Sequence, residues 1–262
     1  MRKIAGFLLL TWVILGTFQF LPAEDAGNEL RVMTYNIHIG IGMDEKLDLE
    51  RTAQTIMAEK PDLVALQEVD NKTERTHRVD QAAELSKLTG MHVAFGRTID
   101  LTGGEYGIAI LSKFPIESYR ITQLPGGNNL EDRGVLEAKV KINDKTTILF
   151  CSTHFCHVSE ARRTAQAEKI NELFTESDLP VIIGGDFNAE PGSETVKTLK
   201  KQWTDATNSG PTWGNPNLRS KIDFIFYRPE NMFKVKETKV VEAKVTSDHS
   251  PVLTVFKMED EK

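Results

Sequence analysis

Apolar and polar positions alternate along the chain in blocks that separate strands from helices. Arg31 to Asn36 and Leu63 to Leu66 are short apolar runs, and the second has the continuous character of a strand covered on both faces. Between them Leu49, Ala53, Ile56 and Met57 recur at helical spacing, with Pro61 as the stop. Val79 to Leu88 predicts a second helix ended by Gly90, and Gly107 to Leu111 a strand that Ser112 to Pro115 turns out of its sheet. Val135 to Val140 and Thr146 to Cys151 flank Asn143 and Asp144, a hairpin signal. Ser159 is placed to cap a helix through Phe174 with Ala167, Ile170 and Phe174 inward. Val181 to Ile183, Ile222 to Tyr227 and Val252 to Phe256 predict the later strands. The pattern is α/β, and with no repeat or linker breaking it, residues 28–258 read as one domain.

The polar residues fall at the strand ends. Asn36 closes the first strand, Gln67 and Glu68 the second, while His154 follows the run ending at Cys151 and Asp186 and Asn188 follow Val181 to Ile183. The last two cases invert the order, since Asp223 opens its strand and Asp248 and His249 precede theirs. If these groups share one site, strands that end there must run opposite to strands that begin there. The sheets must therefore be mixed, unlike a parallel dinucleotide-binding sheet, which collects ligands at carboxyl ends only. Neither a G-x-G-x-x-G turn nor a Walker-type loop is present. Singly, each residue has a plainer role as a turn former or core hydrogen-bonding group. An ionised Glu68 beside a buried strand is harder to leave without a partner.

Composition narrows the setting. The 262 residues carry a net charge of -6, with 40% hydrophobic and 27% charged residues, as expected of a globular protein. Arg2 and Lys3, the apolar stretch to Phe20 and the turn after it have the layout of a secretory signal over residues 1–23, with a retained membrane anchor as the alternative. Removing that segment takes away two positive charges and no negative ones, so the mature charge becomes -8. An acidic chain argues modestly against tight duplex binding. Cys151 and Cys156 read as two buried thiols, because an extended segment holds their Cα atoms about 16 Å apart, beyond bridging distance.

Taken in order, "TYNIH", "LQEVD", "STHF", "GGDFNAEP", "KIDFIF" and "SDHSPV" resemble the endonuclease/exonuclease/phosphatase, or DNase I-like, superfamily of metal-dependent phosphoesterases. The resemblance implies a four-layer α/β sandwich of two mixed β-sheets flanked by helices, whose strand ends form one cleft. It implies Mg²⁺, with Mn²⁺ as a substitute, held by Asn36, Glu68 and Asp248. Asp186 would take a proton from the attacking water, with Asn188 holding the water or a phosphoryl oxygen. His154 and His249 would donate to phosphoryl oxygens, and Asp223 would set the tautomer of His249. Arg133, Arg162 and Tyr106 are further candidates for substrate contact, weighed against an ion pair or a solvated helix face for the arginines. Two departures stand out: His38 replaces an acidic residue common in relatives, which weakens a second metal, and His157 has no assigned role and reads as a surface histidine.

The expected activity is hydrolysis of a small or lipid-linked phosphate ester by an exported, monomeric enzyme, with a membrane surface as a further partner. A secreted nuclease, for which nucleic acid is the substrate, and a non-catalytic binding module on the same fold are the alternatives. A basic groove beside His154 and His249 would favour nucleic acid, and a closed apolar pocket a lipid or inositol head group.

Overall fold

The computed structural model describes residues 29–126 and 131–258, and the leader expected over residues 1–23 lies outside them. Two six-stranded mixed sheets form the centre. One runs in the order β11 (Phe233–Val240), β12 (Val252–Met258), β1 (Glu29–Asn36), β2 (Leu63–Asn71), β4 (Gly104–Ser112), β3 (His92–Leu101). The other runs β5 (Ile116–Gln123), β6 (Gly134–Lys141), β7 (Thr147–His154), β8 (Val181–Asp186), β10 (Asp223–Arg228), β9 (Thr204–Asp205). Helices α1 (Leu49–Ala58) and α2 (Gln81–Thr89) cover the first sheet, and α3 (Glu160–Phe174) and α4 (Glu194–Leu199) the second. Among the described residues no helix is long and apolar enough to cross a membrane.

Strand alternation assigns each apolar residue to a layer. In β1, Leu30 and Val32 join Leu63, Leu136, Phe150, Ile182 and Phe256 between the sheets, whereas Met33 and Tyr35 face Ile56 and Leu85 of the first helix pair. In β8, Ile182 points between the sheets while Val181 and Ile183 meet Ala167, Ile170 and Phe174 of α3. Central strands are thus apolar on both faces, which is why they read as unbroken runs. The mixed topology expected from the strand ends is present: β1 is parallel to β2 and β7 to β8, while β10 is antiparallel to β8 and β12 to β1. At the far end of the first sheet Glu29 pairs with Lys257.

Ser159 caps α3 by accepting from the Arg162 amide, as expected. The helix expected from Val79 begins at Gln81, because the Asp80 side chain accepts from the Ala83 amide and so sets the N-cap. Gly90 ends it with φ of 70°, in the left-handed region that glycine enters freely. Met57 is exposed although it shares the spacing of Ile56, which is fully buried. Cys151 and Cys156 are both buried free thiols.

Near one end the two sheets approach closely through small residues. A Cβ on Gly184 would sit 3.0 Å from that of Ala65 and 3.1 Å from that of Thr34. In the same seam Gln67 Nε2 donates to Ser152 Oγ at 3.2 Å, stitching β2 to β7.

Candidate active site

Register brings the predicted strand ends together. Asn36 lies beside Gln67, His154 beside Asp186, and Asp223 opposite Asp186. His249 enters from the segment before β12 and pairs by a bridge with Trp213. Glu68 reaches the site through a local irregularity, a register shift between Leu66 and Val69, with φ of 57°. A bulge of this kind turns a side chain that regular pleating would aim elsewhere, and the left-handed backbone costs about 1–2 kcal/mol for a residue other than glycine. Asn188 also has positive φ, 49°, and its amide donates to Asp186 Oδ1 at 2.8 Å in a tight turn.

Hydrogen bonds and close polar contacts connect these groups. Asn36 Nδ2 donates to Glu68 Oε1 at 3.0 Å and to Asp186 Oδ2 at 3.1 Å. Asp186 Oδ2 lies 3.4 Å from His154 Nε2 and 3.6 Å from His249 Nε2. His249 Nδ1 meets Asp223 Oδ2 at 2.9 Å, and Thr212 Oγ1 donates to the same oxygen at 2.6 Å. The Thr212 oxygen in turn accepts from the amides of Ile222 and Asp223 at 3.2 Å. Asp248 stands apart from this run, with Oδ2 accepting from the Trp213 indole at 3.1 Å.

Burial and charge set the protonation of the run. Burial alone would lower the His249 pKa, but the carboxylates of Asp223 and Asp186 outweigh it and raise the group to about 10. Burial raises Asp186 to about 7, with nearby Asp223 adding to the shift and His249 opposing it. His154 is held well below its usual value, first by burial and then by Arg133 and His249. Burial thus favours the neutral form of His154, whereas the carboxylates of Asp223 and Asp186 favour the charged form of His249.

These side chains open onto a cleft of about 560 Å³. Glu68, Tyr106, Arg133, His154, Asp186, Asn188, Asp248 and His249 line it. Asn36 and Asp223 are buried beneath the lining, at 0% and 1% exposure. Arg162 is not among the lining residues; its amide caps to Ser159 at the start of α3. His157, which the sequence leaves without a role, lines the cleft beside Arg133, with Nδ1 3.3 Å from Arg133 Nη2. Thr212, Trp213 and Asn215 also escape a reading of the sequence. Asn215 Nδ2 donates to the carbonyls of Ser247 and His249 at 3.0 and 2.9 Å, and so holds the segment carrying Asp248 and His249.

Two groupings could hold a cation. Asp186, Asp223 and His249 place ligand atoms within 4.8 Å of one another, but the His249–Asp223 hydrogen bond and the Asn36 and Asn188 donors already occupy them. Glu68 and Asp248 suit a hard divalent ion better. Among the described residues Glu68 accepts one hydrogen bond and no lysine or arginine lies within 4.0 Å of its carboxylate, so an oxygen faces the cleft unspent. Carboxylate, carboxamide and water are the donor set of Mg²⁺. Asn36 enters this set only after a half-turn of its amide, because Oδ1 now accepts from the His38 amide and nitrogen faces Glu68.

Comparison with known proteins agrees with this geometry. The chain is similar to the uncharacterized protein YbhP of Escherichia coli strain K12, 28% identical over 186 residues that cover 64% of this chain and 70% of YbhP. In fold it is similar to an endonuclease/exonuclease/phosphatase family protein from Bacteroides thetaiotaomicron, at a TM-score of 0.75 and 21% identity over 88% of this chain and 98% of that one. It is also similar to the mannosyl-6-phosphatase of Bacteroides thetaiotaomicron, at a TM-score of 0.71 and 23% identity over 87% and 99% of the two chains. The profile of the Endonuclease/Exonuclease/phosphatase family matches residues 33–249, a span that contains every strand-end residue of the site from Asn36 to His249, and the chain belongs to that family.

Proposed function

We propose that this protein is an exported, Mg²⁺-dependent phosphoesterase that hydrolyses a phosphate ester by in-line attack of a water activated at Asp186. The observation that carries the reading is the continuous run from Glu68 through Asn36 to Asp186, the two imidazoles and Asp223. Six separate segments supply it, and the family is one of phosphate-ester hydrolases. Export rests on the leader pattern in the sequence, and Mn²⁺ is a second metal of the same chemistry.

Phosphate esters resist water because their anionic oxygens repel a nucleophile. A divalent ion at Glu68 and Asp248, with Asn36 beneath, would neutralise phosphoryl charge and fix the ester in the cleft. Asp186, raised to about 7, is a carboxylate matched to taking a proton near neutral pH. Asn188 Nδ2 is committed to the Phe155 carbonyl at 3.1 Å, which leaves Oδ1 as an acceptor to orient the water. His249, cationic and fixed by Asp223, and neutral His154 donate from Nε2 as negative charge builds on the phosphoryl oxygens.

The test is turnover with and without metal. Chelation is expected to silence the protein, and Asp186→Ala to lower kcat by at least about 10³ while metal affinity stays within a few fold. Turnover by Asp186→Ala near the wild-type rate would remove Asp186 as the base.

A further inference from the structure

We propose that the cleft selects an ester bearing one phosphate on an uncharged, hydroxyl-bearing group such as a sugar or polyol, and turns away polyanions. The proposal rests on the phosphoesterase reading and specifies its substrate class.

The charges lining the cleft are unequal. Glu68, Glu131, Asp186, Glu190 and Asp248 contribute carboxylates, whereas one guanidinium, Arg133, is the sole arginine or lysine among the described lining residues. A divalent ion would offset Glu68 and Asp248, and Asp186 lies inward, 1% exposed, accepting from Asn36 Nδ2 and 3.6 Å from His249 Nε2. What remains around the reaction centre is Arg133 against Glu131 and Glu190. Arg133 is 3% exposed and held from two sides, with Nη1 3.1 Å from Glu131 Oε1 and Nη2 3.3 Å from His157 Nδ1. A guanidinium only donates, so His157 Nδ1 accepts in this contact. Arg133 is thus the one guanidinium among the described lining residues, and it is already committed to two partners.

Other cations nearby are spent or face elsewhere. Arg75 makes two hydrogen bonds to buried Asp70, at 2.8 and 2.7 Å, and neither Arg162 nor Arg219 lines the cleft. Among the described lining residues a second phosphate would thus meet Glu190 or Glu131 with no cation beyond Arg133, and a nucleic-acid backbone would find no run of basic side chains. Hydroxyl groups fare differently. Glu190, whose Oε1 accepts from Ser220 Oγ at 3.0 Å, offers acceptors at the rim, and Trp213, 39% exposed, offers a flat apolar face of the kind on which a sugar ring rests.

The experiment compares a hexose monophosphate, an inositol trisphosphate and a short single-stranded oligonucleotide, each titrated calorimetrically into the purified protein in Mg²⁺ and each assayed for turnover. The monophosphate is expected to bind most tightly and to show the highest kcat/KM, and Glu190→Lys is expected to tighten the trisphosphate about tenfold. Equal or tighter binding of the trisphosphate or oligonucleotide by the wild type would overturn the proposal, as would Glu190→Lys leaving trisphosphate affinity within about twofold. If the binding order holds but no ester is cleaved with Mg²⁺ or Mn²⁺, the substrate class stands and the catalytic reading fails.

Discussion

Asp223→Asn isolates charge from shape at the centre of the run. Oδ2 of Asp223 receives both His249 Nδ1 and Thr212 Oγ1, while Oδ1 is buried and accepts no hydrogen bond among the described residues. An asparagine can therefore keep its oxygen in the place of Oδ2, so both existing contacts survive and the negative charge goes, while its amide nitrogen takes the buried place of Oδ1 and leaves its N–H donors without a described partner, at a pH-independent cost of about 1–3 kcal/mol. In the wild type His249 rises from 6.5 to about 10, worth on the order of 5 kcal/mol at about 1.36 kcal/mol per unit. Asp223 at 2.9 Å and Asp186 at 3.6 Å share that stabilisation. Because the folded value lies above the unfolded one, this contribution is full below pH 6.5 and is lost as pH climbs through 10. The metal-free variant is then expected to lose roughly 2–3 kcal/mol more stability relative to wild type at pH 6 than above about pH 10, where only the pH-independent cost of the unpaired amide remains. Denaturant titration at both pH values measures this, and imidazole NMR follows the His249 proton directly. The same substitution should pull the alkaline limb of kcat/KM down from near pH 10 and cost about 10²–10³ at neutral pH, the weight of one charged donor to a phosphoryl oxygen. An unchanged alkaline limb, or a stability loss independent of pH, would refute the assignment of His249 as a cation held by Asp223.

Two further substitutions address other parts of the structure. Glu68→Gln keeps the size and the Asn36 contact but removes the charge, and is expected to weaken Mg²⁺ at least about tenfold by calorimetry; unchanged affinity would move the metal away from Glu68. Gly184→Val forces side-chain volume into the seam beside Ala65 and Thr34, and is expected to destabilise the fold by about 1–3 kcal/mol in denaturant; a change under about 0.5 kcal/mol would mean that the sheets part without strain.

Legibility followed burial. The central strands β1, β2, β4, β7, β8, β10 and β12 lie between neighbours and announce themselves as apolar runs, whereas β6 sets Glu137, Lys139 and Lys141 on one face and shows through the hairpin signal at Asn143 and Asp144. The edge strands β3, β5, β9 and β11 escape the sequence reading. β5 exposes Glu117, Ser118, Tyr119 and Arg120, and β11 interleaves lysines with Val235 and Thr238, because an edge has fewer neighbours to pack against and gains from charges that discourage further pairing. α4, six residues long, is too short to show a helical period. Within the site, the polar strand ends were readable because a carboxylate beside a buried run needs a reason. Thr212, Trp213 and Asn215 were not, since they sit in a loop of ordinary turn residues and act only through folding back onto Asp223, Asp248 and His249. Nor does anything in "LQEVD" foretell the positive φ of Glu68, which arises from β2 and β4 pairing out of step.

The pairing of Glu29 with Lys257 has a practical side. β1 runs from that pair to Asn36, eight residues and so about 26 Å, which sets the pair at the end of the first sheet remote from the mouth. Bulky substitutions or probes at either residue of the pair should therefore leave substrate entry untouched.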